Sequence, residues 1–219
     1  MLPRASTITT AFSLSLLLPL ASGCGANPPQ PAEPAPQETA APATPAAPAP
    51  PPKCESLDEK CESKPDTHAK VARCDLAFTP PAGWTFAQLA EATVAQSGDA
   101  TLAVTCFDID PKDAKKEAAS REAAFGDLLK QVSVDNPGKK KVPWKKPAAP
   151  KDVGDLKLGL WEVEGMTRTT KKGSFVAVSG PADASKTKVL LFIGFVGDDD
   201  KSNASDQMLK SVESLGPVK

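Results

Sequence analysis

The run Val189–Val196 constrains the fold more than any other feature of this chain. All eight residues are apolar or glycine. That length is typical of a strand, and a strand with no polar face is buried on both sides of its sheet. Burial on both sides requires a layer of structure on each face of the sheet. We therefore predict an α+β domain, an α/β/α sandwich in which a largely antiparallel, six-stranded sheet carries helices on both faces.

The other strands are predicted from hydrophobic periodicity and turn residues. A hairpin is expected where Ser97, Gly98 and Asp99 separate two such segments. In its second strand, apolar residues alternate with Thr101 and Thr105, which predicts one buried face. The expected strands cover 71–79, 90–96, 100–108, 156–164, 173–179 and 189–196.

Two irregularities are expected in the second half of the chain. The alternation of 156–164 changes phase between Leu160 and Trp161, which indicates a bulge or burial on both faces. A turn is expected at 171–173, before the next strand.

Two helices complete the prediction. Asp110 is a good N-cap, and Pro111 suits the first position of the helix that follows. We interpret the charged face of this helix, which includes Arg121, as a solvated surface. A second helix is expected after the acidic stretch 197–200. The apolar faces are expected to be Ala114, Ala118, Phe125, Leu128, Leu129 and Val132 in the first helix, and Ala204, Met208, Leu209, Val212 and Leu215 in the second.

Composition divides the chain into four parts: a signal segment 1–23, a tether 24–53, a polar neck 54–69 and a globular domain 70–219. Residues 26–53 contain 11 prolines and 9 alanines, so they cannot bury a core and favour the polyproline II conformation. We interpret them as a disordered, semi-rigid spacer that reaches about 85 Å when fully extended.

The sequence at 20–24, Leu-Ala-Ser-Gly-Cys, resembles the lipobox of a bacterial lipoprotein. Arg4 precedes an apolar run over 11–21 that is too short to span a bilayer. Ala21 departs from this pattern, because leucine is commoner at that position. Cleavage before the cysteine and attachment of lipid to its thiol are what the resemblance implies.

We therefore expect lipidation at Cys24 and a location in the cell envelope. Gly25 stands where an aspartate would resemble an inner-membrane retention signal, which favours the outer membrane, on its periplasmic or outer face. An ordinary secretory signal with an unmodified Cys24 is the alternative.

Four further cysteines, Cys54, Cys61, Cys74 and Cys106, suit an oxidising compartment, where an even number predicts disulfides. Three pairings are possible. We favour Cys54–Cys61, which closes a short polar loop, and Cys74–Cys106, which joins two expected strands. A zinc site that includes His68 is the alternative, but the spacing lacks the close cysteine pairs of common zinc sites.

Few residues are available for catalysis. Tyrosine is absent and His68 is the sole histidine, which removes many usual general bases. The acidic stretch Asp198–Asp200, with Asp206, suits calcium by charge but lacks the register of a calcium loop, so we interpret it as helix capping. We expect no enzyme activity, no metal and no cofactor. After removal of 1–23, 25 basic and 27 acidic residues remain, which gives no support for binding nucleic acid.

A lysine-rich loop is the strongest local concentration of charge. Its ammonium groups can attract an anionic envelope polymer, anionic lipid head groups or an acidic protein face. The alternative is a solvated loop whose tryptophan folds back onto the core, and we favour this second interpretation. The residues concerned are Lys139, Lys140, Lys141, Trp144, Lys145 and Lys146.

The domain resembles the PsbP-like fold, shared by photosystem accessory proteins, Mog-type Ran-binding proteins and bacterial lipoproteins. The similarity depends on the segment 78–84, the run Val189–Val196 and the helix ending at Ser214–Leu215, and it covers residues 70–217. The cysteine pairs and the segment 139–151 depart from the pattern. The resemblance implies a non-catalytic domain that binds or supports other proteins.

Two functional hypotheses follow. The first is a lipid-anchored module that binds or assembles proteins of the cell envelope. The second is a periplasmic carrier of a small ligand or metal, with a pocket between a helix and the sheet.

Overall fold

Two antiparallel sheets and two helices make up residues 53–110 and 112–218, the part of the chain that this computed structural model describes. The signal segment, Cys24 and nearly all of the tether lie outside the described residues. Neither described helix has the length and apolar character needed to cross a bilayer. Helix α1 spans Ala114–Gln131 and α2 spans Ala204–Glu213. The strands are β1 Ala69–Lys70, β2 Leu76–Phe78, β3 Thr85–Gln88, β4 Thr93–Ser97, β5 Ala100–Asp108, β6 Val134–Asp135, β7 Ala149–Val153, β8 Leu156–Arg168, β9 Lys171–Pro181, β10 Lys188–Gly197 and β11 Gly216–Pro217.

The larger sheet has eight strands within the described residues rather than the six expected. Its order is β3-β4-β5-β10-β9-β8-β6, and β7 pairs with the other end of β8. Strands β1, β2 and β11 form a second, three-stranded sheet. The segment 71–79 is therefore not a strand of the main sheet, because the chain turns back near residue 73 and pairs with itself. The α+β class and the mostly antiparallel pairing are as predicted.

Strand β10 lies in the middle of the larger sheet, between β5 and β9, as its apolar run predicts. Leu190 packs in one buried cluster with Met208 of α2, whereas Leu191 packs in another with Phe125 of α1. Successive side chains of a strand point to opposite faces of the sheet. The two helices therefore cover opposite faces.

Strand β5 is buried on both faces, so the expectation of a single buried face is wrong. The hydroxyls of Thr101 and Thr105, which suggested a polar face in the sequence, form hydrogen bonds within the protein. Thr105 Oγ1 donates to the backbone oxygen of Glu91 at 2.7 Å, and Thr101 Oγ1 donates to that of Ala95 at 3.2 Å. A hydroxyl bonded to a neighbouring strand is buried at little cost.

Residues 54–63 belong to the folded domain, although the sequence predicts a polar neck there. The amide of Gln88 donates to Cys54 O at 2.7 Å, and that of Phe86 donates to Cys61 O at 2.8 Å. The amide of Ser63 donates in turn to Trp84 O at 2.8 Å. The segment therefore covers the exposed edge of β3, a position at which proteins avoid unpaired backbone groups.

Helix α1 is capped by Asp113 and not by Asp110. The amide of Lys116 donates to Asp113 Oδ1 at 3.1 Å, and the amide of Glu117 donates to Asp113 O at 2.9 Å, which places Asp113 at the N-cap. Four of the predicted apolar positions, from Phe125 to Val132, are buried. Of the other two, Ala118 is exposed, and the side chain of Ala114 is not among those that the structure describes.

The bulge in β8 lies at Gly165, between Glu164 and Met166, and not at Leu160–Trp161. Gly165 has φ 74°, a conformation that favours glycine. The shift of phase at Leu160–Trp161 reflects burial on both faces instead, because these two residues pack in different clusters. The following turn lies at 169–170, two residues before the expected position.

Candidate functional site

The segment Lys139–Lys146, here called the lysine loop, connects α1 and β6 to β7. Its five lysines are exposed, but Val142 is buried and Trp144 is partly buried. The Trp144 ring meets those of Phe125 and Trp161 edge to face, at 5.7 and 5.1 Å between centroids. Its indole N–H donates to Glu122 Oε2 at 2.9 Å. The tryptophan is thus folded back onto the core.

Arg121 completes the surroundings of Trp144. Its guanidinium lies 5.6 Å from the ring centroid and donates to Glu117 Oε1 at 2.6 Å. Burial lowers the pKa of Arg121, while the carboxylate of Glu117 opposes that shift. Arg121 is only 9% exposed, so the expectation that it belongs to a solvated face is wrong. The ion pair and the stacking on Trp144 offset the cost of burying its charge.

We predict that Trp144→Ala lowers the free energy of unfolding by roughly 2–3 kcal/mol, because it removes an indole packed between α1 and β8. Trp144→Phe is the matched variant: it keeps an aromatic ring and loses the bond to Glu122, at a cost of about 1 kcal/mol. Urea titration followed by circular dichroism measures both. Unchanged stability in Trp144→Ala would contradict the anchoring role.

The cysteines form the favoured pairs, Cys54–Cys61 and Cys74–Cys106, with Cα atoms 5.6 and 5.7 Å apart. In a continuous α-helix, two cysteines 7 residues apart would be too far from each other to form a disulfide. The segment between Cys54 and Cys61 instead contains a one-turn 3-10 helix, Leu57–Glu59. The second disulfide fastens the turn between β1 and β2 to the buried strand β5. Cys74 therefore lies in a turn and not in a strand.

Within the acidic stretch after β10, only Asp200 bonds the start of α2, whose N-cap residue is Asn203. Asp200 accepts hydrogen bonds from the amides of Ser202 and Ala204, at 3.1 and 3.2 Å. The bond from the Ser202 hydroxyl lowers the pKa of Asp200 most, and the bond from Lys171 does the same for Asp199. Across the described ranges, no group of three or more His, Cys, Asp or Glu residues is placed to hold a metal ion.

His68 is exposed and lines a shallow cavity of about 390 Å³ together with Ser214. The Ser214 hydroxyl donates to Ser211 O at 2.7 Å and accepts from the amide of Thr79 at 2.8 Å. Its proton is therefore directed to a backbone carbonyl near the end of α2.

One opening on the described surface was not predicted from the sequence. It is a groove of about 630 Å³, here called the hairpin groove. Three elements surround it: the turn between β7 and β8, the connection between β9 and β10, and the C-terminal strand β11. Apolar side chains contribute much of its lining, including Leu76, Val153, Leu156, Ala182 and Leu215.

Two charged side chains at the rim of the hairpin groove, Lys157 and Asp183, are bound within the protein, whereas Asp155 and Lys186, which also line it, form no ion pair in the described structure. Lys157 Nζ lies 2.7 Å from Asp152 Oδ2. Asp183 accepts from the hydroxyls of Ser185 and Thr187, and the bond from Ser185 lowers its pKa most. The apolar floor of the groove favours an occupant with apolar side chains.

Prolines protect the two strands beside the groove from pairing with another chain. Pro217 lies in β11, the last strand of the smaller sheet, and Pro150 lies in β7, which pairs with β8 alone. A proline has no N–H to donate to an added strand. These prolines disfavour extension of either strand by another chain.

A cavity between helix and sheet, as the carrier hypothesis requires, lies beneath α1. It is lined by Leu128 and Lys130 of α1 and by Thr105 and Phe107 of β5. Its volume of about 210 Å³ is small beside the several hundred Å³ that small-molecule sites usually enclose.

Comparisons with known proteins give little beyond these observations. No protein-family model matches the chain, and no curated protein matches it. Two solved structures similar to it are the Ran-binding protein Mog1p of Saccharomyces cerevisiae and a single-site mutant of protein Mog1. Both are 12% identical over 70% of this chain, covering 96% and 97% of their own lengths, with TM-scores of 0.38 and 0.37. Similarity at this level does not assign a fold family or a partner to this chain.

Proposed function

We propose that this protein is a non-catalytic binding module, anchored in the outer membrane by lipid on Cys24, that holds a protein partner of the cell envelope through the hairpin groove. The partner contact is a polypeptide segment with apolar side chains. The observation that carries the proposal is the groove itself, an opening of about 630 Å³ with an apolar floor on a well-packed domain.

The sequence supports the anchor. The segment 20–24 has the small residues and the cysteine of a lipobox, and 28 residues separate Gly25 from Cys54. A long proline-rich spacer holds a domain away from a surface while leaving it free to meet partners. The two disulfides agree with an oxidising compartment.

The arrangement of side chains supports a role without catalysis. Within the described residues, the sole histidine faces solvent and Ser214 is engaged in structural hydrogen bonds. The buried threonines and Arg121 are likewise paired with partners from the protein. The carrier hypothesis is less well supported, because the cavity beneath α1 is small.

We infer in addition that the domain is PsbP-like. The residues that suggested this similarity have structural roles of the expected kind: Phe78 and Trp84 are buried, β10 is central, and α2 closes the domain. A helix covers each face of the main sheet. An experimental structure compared over 54–218 alone tests this inference.

Photo-crosslinking in intact cells tests the groove. A photoreactive residue at Ala184, on the exposed rim, is expected to capture a defined protein, whereas the same residue at Ala123, exposed on α1, is not. Ala182→Trp places an indole at the groove and should reduce capture from Ala184 by at least about tenfold.

Ala123→Trp is the matched control, because it adds the same ring on the other face of the sheet and should leave capture unchanged. Equal capture from both positions, or capture that Ala182→Trp does not reduce, would reject the groove as the binding site. Circular dichroism of the purified variants verifies that each is folded.

A further inference from the structure

The lysine loop carries positive charge that the rest of the domain leaves uncompensated. Between residues 139 and 151 there are six lysines and no acidic residue. Lys151 forms an ion pair with Glu213 at 2.6 Å, and Lys140 Nζ donates to Glu164 O at 2.5 Å. The others, Lys139, Lys141, Lys145 and Lys146, have no carboxylate within ion-pair distance in the described structure.

The backbone of the loop is held in place at both ends. The Asn136 side chain donates to Lys140 O at 2.7 Å and accepts from Lys140 N at 2.8 Å. Further along, Trp161 Nε1 donates to Pro143 O at 3.0 Å, and the amide of Lys146 donates to the same carbonyl at 2.8 Å. Such a surface loses little backbone entropy when it binds.

The inward position of Trp144 decides what the loop can bind. An indole exposed between lysines would suit insertion into the interface of a bilayer. Here the indole packs on Phe125 and Trp161, and its N–H is engaged by Glu122. The lysines on either side are left to make contacts of charge alone, with anionic groups that remain in water.

We propose that the lysine loop binds the phosphate head groups of an anionic membrane surface, as a second and reversible contact beside the lipid anchor. This inference rests on the anchor of the proposed function. An anchored domain stays within about 85 Å of the bilayer even when its spacer is fully extended. At the high effective concentration that tethering produces, a contact by four lysines suffices to hold one face of the domain toward the membrane.

The test uses the mature chain, residues 24–219, in the unlipidated form Cys24→Ser, so that its result does not depend on the anchor. Binding is measured by co-sedimentation with vesicles of phosphatidylcholine containing roughly 30% phosphatidylglycerol, and with phosphatidylcholine alone. The loop variant carries Lys139→Gln, Lys141→Gln, Lys145→Gln and Lys146→Gln. The matched control removes the same charge from four exposed lysines elsewhere, through Lys64→Gln, Lys112→Gln, Lys201→Gln and Lys210→Gln.

We expect the loop variant to bind anionic vesicles about a hundredfold more weakly than the parent chain, at roughly fivefold for each lysine with incomplete additivity. The control should change far less, and higher salt should abolish the difference. Equal losses in the two variants would show an effect of net charge and overturn the proposal. Binding to soluble polyphosphate without binding to vesicles would also overturn it, since the ligand would then be a polymer.

Discussion

Replacement of Cys74 and Cys106 by alanine will lower the free energy of unfolding by about 4 kcal/mol, the value expected for a disulfide closing a loop of this length. The cysteines are 32 residues apart, and their bond joins the turn between β1 and β2 to β5. The same contact includes a hydrogen bond from the amide of Cys106 to Ala72 O at 2.9 Å. Loss of the bond therefore also weakens the attachment of the smaller sheet. Urea titration of the oxidised chain measures the change.

The other disulfide provides a matched control. Cys54 and Cys61 are 7 residues apart, and the same relation gives roughly 2.5 kcal/mol for Cys54→Ala with Cys61→Ala. Alanine avoids placing a hydroxyl at Cys106, which is fully buried. A loss below about 1 kcal/mol for Cys74 and Cys106, or the reverse order of the two pairs, would show that the longer bridge does not restrain the unfolded chain.

Elements with a continuous or clearly periodic apolar pattern could be predicted from the sequence. The run Val189–Val196 gave a central strand, and Ser97 to Asp99 marked a hairpin, because burial and turn geometry select particular residue types at these positions. The pattern of α2 was also informative, with Met208 and Val212 buried as expected.

Elements held in place by backbone hydrogen bonds could not be predicted, because they leave no apolar pattern in the sequence. The segment from Cys54 to Ser63 is polar, yet it pairs with β3 through amides and carbonyls that every residue possesses. Thr101 and Thr105 similarly look solvent-facing until their acceptors on neighbouring segments are known. The sequence did not distinguish Asp110 from Asp113 as the N-cap of α1, because both are aspartates. In the structure, Asp113 is the one that accepts a hydrogen bond from an amide of the first turn.

The two candidate sites also differ in whether they could be predicted from the sequence. The lysine loop could be found from the sequence, since its charge is local, and the position of Trp144 follows from contacts with α1 and β8. The hairpin groove could not be found. Its walls are connections near Gly154 and Ala184 and the strand at Pro217, which are far apart in sequence and meet only through the registers of two sheets.

Both proposed contacts belong to one mode of action. The hairpin groove is built on the face of the main sheet that α2 covers, and the lysine loop is anchored on the face that α1 covers. If the loop holds its own face toward the membrane, the groove is left accessible to a partner. Binding of a partner and contact with the membrane are therefore compatible, and crosslinking from Ala184 should persist in the loop variant.

Cys24→Ser is expected to have the largest effect on the protein in cells, because the proposed lipid attachment requires the thiol of this residue. The lipobox-like segment 20–24 places the cysteine directly after two small residues. Without the thiol, the chain either keeps its signal segment or becomes a soluble protein. We expect more than about tenfold less protein in the outer-membrane fraction, because a charged and proline-rich chain with no lipid has no apolar surface long enough to stay in a bilayer.

Ser22→Thr is the matched control, since it changes a neighbouring residue by one methyl group and leaves the thiol in place. Cells are fractionated into soluble, inner-membrane and outer-membrane material, and the apparent mass of the chain is compared in each. Metabolic labelling with a fatty-acid analogue should mark the parent chain and Ser22→Thr, and it should not mark Cys24→Ser. If Cys24→Ser keeps the location, the mobility and the label of the parent chain, then Cys24 is not the anchor.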